Sequence, residues 1–397
     1  MFMIACLTTT AFAMPAWAAD EVPPAVQAFL DSVERQTSVE PTYESVEQDS
    51  DGTVTITNLT IAKPAGVDEP AVTMKIGESE FSDIEDEGDG IFQIGSATFS
   101  NMTAEVKGKD FAVNVAIPEG SAEGWYVSEL ADNPTPQQAM RANMTSVARR
   151  MSADKWTITA MGQTYSVDGY EQTWDGDPKT GAGNFTMKVS NIAIPEAAIA
   201  MLDQGGMLKQ LGYTALNFDV TSDGKVDVQG ENIGYDFNFG VTGRDIATIR
   251  FGFAAADIPM SVFNELQKMQ NSAETPDINA LMPQLQNISI SGASFRFEDA
   301  SITKKVLPMI AAMQGMDEAT MVASVGPMLQ MGLMQLQNEA FAQQTMAAVT
   351  SFLKDPKSLT INAKPAAPVK VSDFMAINPN APGEAITRLG VSVSAND

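Results

Sequence analysis

Three methionines fall three residues apart in the stretch Gly326-Pro327-Met328-Leu329-Gln330-Met331-Gly332-Leu333-Met334. Thioethers are soft donors suited to Cu(I), so this spacing offers a trigonal site. The same side chains are flexible and apolar, and they suit irregular packing or a varying ligand equally well. At about 100° per residue, Met328, Met331 and Met334 step about 60° each and span roughly 120° of a helix. Leu329, Leu333, Leu336 and Ala340 cluster on another side, so the leucine stripe is expected to face the core. The methionine stripe then faces a second apolar surface, a cavity or a partner. Met309 and Met313 lie in the same Met-rich region and join the three as candidate lipid or partner contacts. With no histidine in the chain to support a metal, packing is the first reading, a lipid or partner contact the second, and a Cu(I) site the third.

Other chemistry is scarce. Zero histidines remove Ser-His-Asp and Cys-His catalysis and His-ligated zinc or copper. The single cysteine, Cys6, lies in the apolar N-terminal stretch, so the rest of the chain has no disulfide or thiol chemistry. The acidic run from Asp83 to Gly90 resembles a calcium loop only in part. An EF-hand counted from Asp83 needs a carboxylate where Ile94 stands. A solvated hairpin tip is the expected reading. Trp125, Tyr126, Trp156, Tyr165, Tyr170 and Trp174 could line a sugar-binding face, but strand packing is preferred. No catalytic residue, metal ligand or cofactor is assigned, and a non-enzymatic protein is expected.

These residues must be positioned by a mostly β framework. Residues 24–40 read as an amphipathic helix with Val26, Phe29, Leu30 and Val33 at helical spacing. From about 41 to 130 the period changes to two, as in "GTVTITNLTI" and "FAVNVAI", with turn signals at Asp51-Gly52, Gly88-Asp89-Gly90 and Lys107-Gly108-Lys109-Asp110. This pattern predicts an antiparallel meander with one wet face. Residues 134–152 are expected to be a helix opened by prolines. After residue 183 a unit of strand, Ile-Pro, short helix and paired strands recurs weakly. Its first copy holds Ile194-Pro195 and a turn at Asp223-Gly224, and its second holds Ile258-Pro259. Proline opens a helix at no hydrogen-bond cost. The expected fold class is α+β: a strand-dominated, extended, twisted antiparallel sheet with short helices packed on one side. The expected organisation is a signal peptide at 1–18, a β-meander with two helices at 19–180, and a strand-helix-strand repeat region at 181–397 with a Met-rich helical insertion at 303–354.

The N-terminal stretch "MFMIACLTTTAFAMPAWAAD" is apolar and then carries Ala16-Trp17-Ala18, small residues at the first and third positions of a signal-peptidase site. Export with cleavage after Ala18 is expected, which places the chain in a periplasm. The alternative is an inner-membrane tether facing the periplasm. The net charge of −26 repels phosphate backbones and anionic lipid surfaces. No nucleic acid is therefore expected as a partner, and no binding to anionic surfaces by electrostatics.

The motifs "NIAIPEAAIAML" and "ADIPMSVFNEL", with the ending "LTINAKPAAPVKVSDFMAI…LGVSVSAND", resemble the YdgA-type and AsmA-like periplasmic proteins of Gram-negative bacteria. The resemblance covers about residues 50–397 as a pattern and brings no catalytic motif. It implies long β-sheets with an apolar face and, from the larger AsmA-like members, a part in phospholipid movement. The expected function is accordingly lipid handling or envelope maintenance through an apolar sheet groove, with a lipid or an envelope protein as partner. The alternatives are a structural or protein-interaction module with no small ligand and, third, Met-based Cu(I) binding.

Overall fold

A computed structural model describes residues 22–397, apart from 67–68, 132, 143–146, 204, 263–264, 266–277 and 378–380. The expected signal peptide and its cleavage point lie outside the described residues. The chain is α+β and strand-dominated, with antiparallel sheet and short helices, as its period-two patterning predicts. It divides into two compact units. One holds Met1–Ile192 with Pro259–Ile278, the other Ala193–Ile258 with Asn279–Asp397.

The first unit opens with α1 (Pro24–Thr37) and continues as β1 (Ser45–Gln48), β2 (Val54–Lys63), β3 (Ala71–Gly88), β4 (Ile91–Lys107) and β5 (Ala112–Ser128). These five strands form an antiparallel meander in chain order. Then come α2 (Pro136–Ala142), β6 (Ala148–Ala153), β7 (Trp156–Ala160), β8 (Gln163–Val167), β9 (Gly169–Gly176) and β10 (Gly183–Ile194). Both β6 and β7 pair with β5, at different stretches of that long strand.

Apolar residues at helical spacing on α1 meet apolar residues at strand spacing on the meander. Val26, Phe29 and Leu30 pack with Val54, Ile56, Phe81, Ile94 and Trp125. Phe29 lies 5.4 Å from Phe81 and 5.3 Å from Trp125 between ring centroids. Proline at the first helical position opens α1, and Ser38 in the left-handed region closes it. Of the six aromatics singled out from the sequence, Trp125, Tyr126 and Trp174 are buried, while Trp156, Tyr165 and Tyr170 are half-buried.

Two local expectations fail in this unit. Of the helix expected over 134–152, Pro136–Ala142 is helical as α2, whereas Ala148–Ala153 is the strand β6. Pairing of Arg150 with Glu123 and of Met151 with Ala122 draws this segment into the sheet, so tertiary pairing overrides local propensity. The acidic run is mostly strand rather than hairpin tip. β3 continues to Gly88, and only Asp89 and Gly90, both at positive φ, form the turn.

The second unit holds α3 (Glu196–Leu202), α4 (Met207–Gln210), β11 (Leu216–Gln229), β12 (Asn232–Gly243), β13 (Ala247–Pro259) and α5 (Ile278–Leu285). It continues with β14 (Ser289–Asp299), α6 (Ile302–Met313), α7 (Glu318–Met334), α8 (Glu339–Lys354), β15 (Ser358–Ala363) and β16 (Val369–Lys370). It closes with α9 (Val371–Met375), α10 (Pro382–Arg388) and β17 (Val391–Ala395). β11 pairs with β12, β13 with β14, β14 with β15, and β15 with β17, all antiparallel. β12 lies beside β13, where Thr248 donates to Thr242 at 3.1 Å. The Ile194-Pro195 signal reads correctly: the strand ends at Ile194 and Pro195 caps α3. The turn expected at Asp223-Gly224 does not occur. Both residues lie inside β11, opposite Asn238 and Phe237, and the chain reverses at Gly230 and Glu231. An unbroken register of β11 against β12 outweighs the local turn preference of Asp-Gly. The Met-rich insertion is the three consecutive helices α6, α7 and α8.

Candidate functional site: an apolar sheet face beside a Met-rich helical layer

Side chains alternate between the faces of a strand, and directly paired residues share a face. Ile249, Phe251 and Phe253 of β13 oppose Phe297, Phe295 and Ala293 of β14. Phe297 and Phe295 oppose Leu359 and Ile361 of β15, which oppose Ala395 and Val393 of β17. On β12, a Cβ at Gly240 would point to Thr221 Oγ1 and Arg250 Cγ, which lie on the other face. The neighbouring alternates Tyr235, Phe237 and Phe239 therefore stand with the phenylalanines. β11 adds Val220 and Val226 through their pairing with Val241 and Tyr235. The only ionisable group among these residues is the Tyr235 phenol, and burial pushes its pKa up.

Asp299, opposite Ala247 at the end of β14, shares this face and accepts the Thr303 N–H of α6 at 2.7 Å, while Arg250, Arg296 and Glu298 stand on the opposite face. Arg250 and Arg296 are direct cross-strand partners, an unfavourable like-charge pairing in isolation. Glu298 relieves it by bridging Arg296 at 2.8 Å and Arg250 at 3.2 Å. Arg296 also reaches the Asp397 carboxylate at 2.7 Å. Hydrogen bonds from Ser394 and Arg296 hold the Asp397 carboxyl well below the usual carboxylate range.

Helices cover only part of the apolar face. Phe352 of α8 packs on Phe297 with centroids 5.9 Å apart. Ile302, Val306 and Met309 of α6 pack with Phe218 around Ile199, Leu211, Tyr213 and Leu216. Beyond them the face stays open: Phe251 is 48% and Phe253 43% exposed, and Ile249 and Ile361 are exposed beside them. The Phe251 and Phe295 rings touch at 5.2 Å, and Tyr235 stacks on Phe237 at 5.8 Å.

The helical layer places the methionines. Met328, Met331 and Met334 on α7 are 70%, 68% and 71% exposed, and Met313 at the end of α6 is also open. Met309 differs, being half-buried in the α6 cluster. Three of the candidate contacts thus share one exposed arc of α7, Met313 is exposed on the preceding helix, and Met309 is packing. Leu333 is buried, as the leucine stripe requires. Ala340 does not belong to that stripe, because α7 ends at Met334. Gln337 turns the chain at positive φ, and Asn338 starts α8 by accepting the Phe341 N–H at 3.0 Å. An open groove of about 570 Å³ runs between α7 and α8, lined by Val322, Val325, Leu329, Met346, Val349 and Leu353. A second, of about 700 Å³, is lined by Leu333, Met334, Ala342 and Met346 together with polar residues. Among the described residues no group of three or more His, Cys, Asp or Glu side chains could hold a metal ion.

A family model described only as an uncharacterized protein matches residues 240–396, a stretch that contains β13 to β17 and all three helices of the layer. No curated protein matches the chain.

Sequence reasoning singled out the methionines and missed the aromatic face. A signal existed: Phe251 and Phe253 alternate in "TIRFGFAA", and Phe295 and Phe297 in "SFRFED". Alternation marks a strand with an apolar side. Only the register shows that two such sides are adjacent and left open.

Proposed function

We propose that this chain binds lipid acyl chains on the apolar sheet face of its second unit, as a non-enzymatic, exported protein of the cell envelope. The observation that carries the reading is the open aromatic surface of Phe251, Phe253, Ile249 and Ile361, with Arg250, Arg296 and Glu298 on the opposite face. A contiguous exposed apolar patch on a chain of net charge −26 needs a cover. An acyl chain supplies one without placing a polar group against the phenylalanines. The grooves beside α7 and α8 lie within the volume range of small-molecule sites, about 300–1,000 Å³. The resemblance to AsmA-like proteins and the apolar N-terminal stretch support the envelope setting.

Displacement of a fluorescent fatty acid, with native mass spectrometry of protein from its own periplasm, tests the proposal. Phe251→Ser together with Phe253→Ser should weaken binding by about tenfold or more, since affinity here scales with apolar area removed from water. A bare-chain mass and unchanged displacement by the double variant would defeat it. The protein-interaction module without a small ligand would then take its place.

A further inference from the structure

We propose that α7 seats the protein on the surface of a zwitterionic lipid bilayer. From Ala319 to Asn338 the chain runs twenty residues without a charge, although the whole carries −26. A helix that is apolar around its circumference is normally buried. Yet Leu333 alone among the seventeen residues of α7 is buried. The helix packs against α6 and α8, and Met328, Met331 and Met334 look outward.

The composition of α7 selects the occupant. Protein interfaces are anchored by Trp, Tyr and Arg, and none of these, nor any Phe, lies between Glu318 and Met334. Methionine, alanine and glycine offer a conformable apolar surface with no directional anchor, which matches a fluid acyl layer. The same segment has no Lys or Arg, so it lacks the attraction that draws basic helices to anionic lipid. The acidic chain around it is repelled by such surfaces. No described helix is long and apolar enough to cross a membrane, so the contact proposed for α7 is made with the bilayer surface through its exposed methionines. This contact is separate from acyl binding at Phe251, and either can fail without the other.

The test is flotation of the full chain with phosphatidylcholine vesicles, and with vesicles in which part of the phosphatidylcholine is replaced by phosphatidylglycerol. Wild type should float with phosphatidylcholine, and less well when phosphatidylglycerol is present at low salt. The triple variant Met328→Gln, Met331→Gln, Met334→Gln should lose about tenfold or more of that binding, in proportion to the apolar area it no longer inserts. The corresponding triple change to Leu should retain it. The apolar N-terminal stretch is common to all three proteins, so the difference belongs to α7. Circular dichroism should show all three equally folded, because the substituted side chains are exposed. Equal flotation of wild type and the Gln variant, no flotation at all, or preference for phosphatidylglycerol would each overturn the proposal. Self-association that the Gln variant abolishes, without vesicle binding, would overturn it in favour of a second copy of this chain.

Discussion

Phe81 and Phe251 show how position decides what one side-chain type does. Phe81 has no exposed surface and packs on Phe29, Phe99 and Trp125. Phe81→Ala should therefore cost about 3–5 kcal/mol in urea unfolding, from lost transfer energy and the cavity left behind. Phe251→Ser, at an open strand position, should stay within about 1 kcal/mol on the scale of strand propensities. A comparable loss at both positions would contradict the burial assignments. Asp317, capping α7, gives a pH prediction. Its carboxylate accepts the Thr320 N–H at 2.8 Å, and chiefly through that bond its pKa lies below the ordinary value. The folded pKa is the lower one, so the stabilisation is present above the ordinary carboxylate range and disappears as pH falls through the folded value. Asp317→Asn keeps a competent cap. Unfolding followed by circular dichroism should show wild type ahead of the variant near neutrality, with the gap closing in acid. At this scale the sequence was readable for Leu333, whose helical spacing from Leu329 fixes its side. It was not readable for Met309, because the cluster that encloses it is assembled from α3, β11 and α6.

Elements were legible where local pattern and tertiary pairing agree. α1 follows from Val26, Phe29 and Leu30 plus a proline start, and β2 to β5 follow from alternation between turn signals. Where the two disagree, pairing prevails, as when β5 recruits Arg149 to Met151 into β6 and β12 holds Asp223 and Gly224 straight. Glycine adds a constraint that spacing cannot reveal. Asp83 takes a positive φ within β3, and a Cβ on Gly95 of β4 would stand only 2.6 Å from the Asp83 Cβ. Gly95→Ala should destabilise the fold by about 1–3 kcal/mol, the usual cost of overpacking, read as a lower urea midpoint with unchanged slope. An Ala variant as stable as wild type would mean that Asp83 can yield. The region 303–354 was legible as helical and Met-rich, but the break after Met334 rests on the Gln337 turn and the Asn338 cap, which spacing does not reveal.

For the molecule as a whole, charge and sulfur are distributed in complementary ways. Fifty carboxylates against twenty-four cations keep the chain away from polyanions, while the exposed phenylalanines of the second unit and the outer arc of α7 present apolar groups to solvent. The fold class was legible because period two dominates the sequence. The open face was not, because it depends on which strands become neighbours and where the helices stop. The methionine arrangement has a redox consequence. The one cysteine is Cys6, so throughout the described residues thioethers are the only sulfur available to a two-electron oxidant. Peroxide converts a thioether to a sulfoxide, releasing water and making an apolar group polar. Met140 and Met260 are almost wholly enclosed, whereas Met313, Met328, Met331 and Met334 stand open. Peptide mapping after mild peroxide should find the last four modified while the first two persist, and equal modification of both sets would contradict the burial described above. An oxidant would thus make α7 wettable before it reached the core, leaving a folded protein with an altered surface.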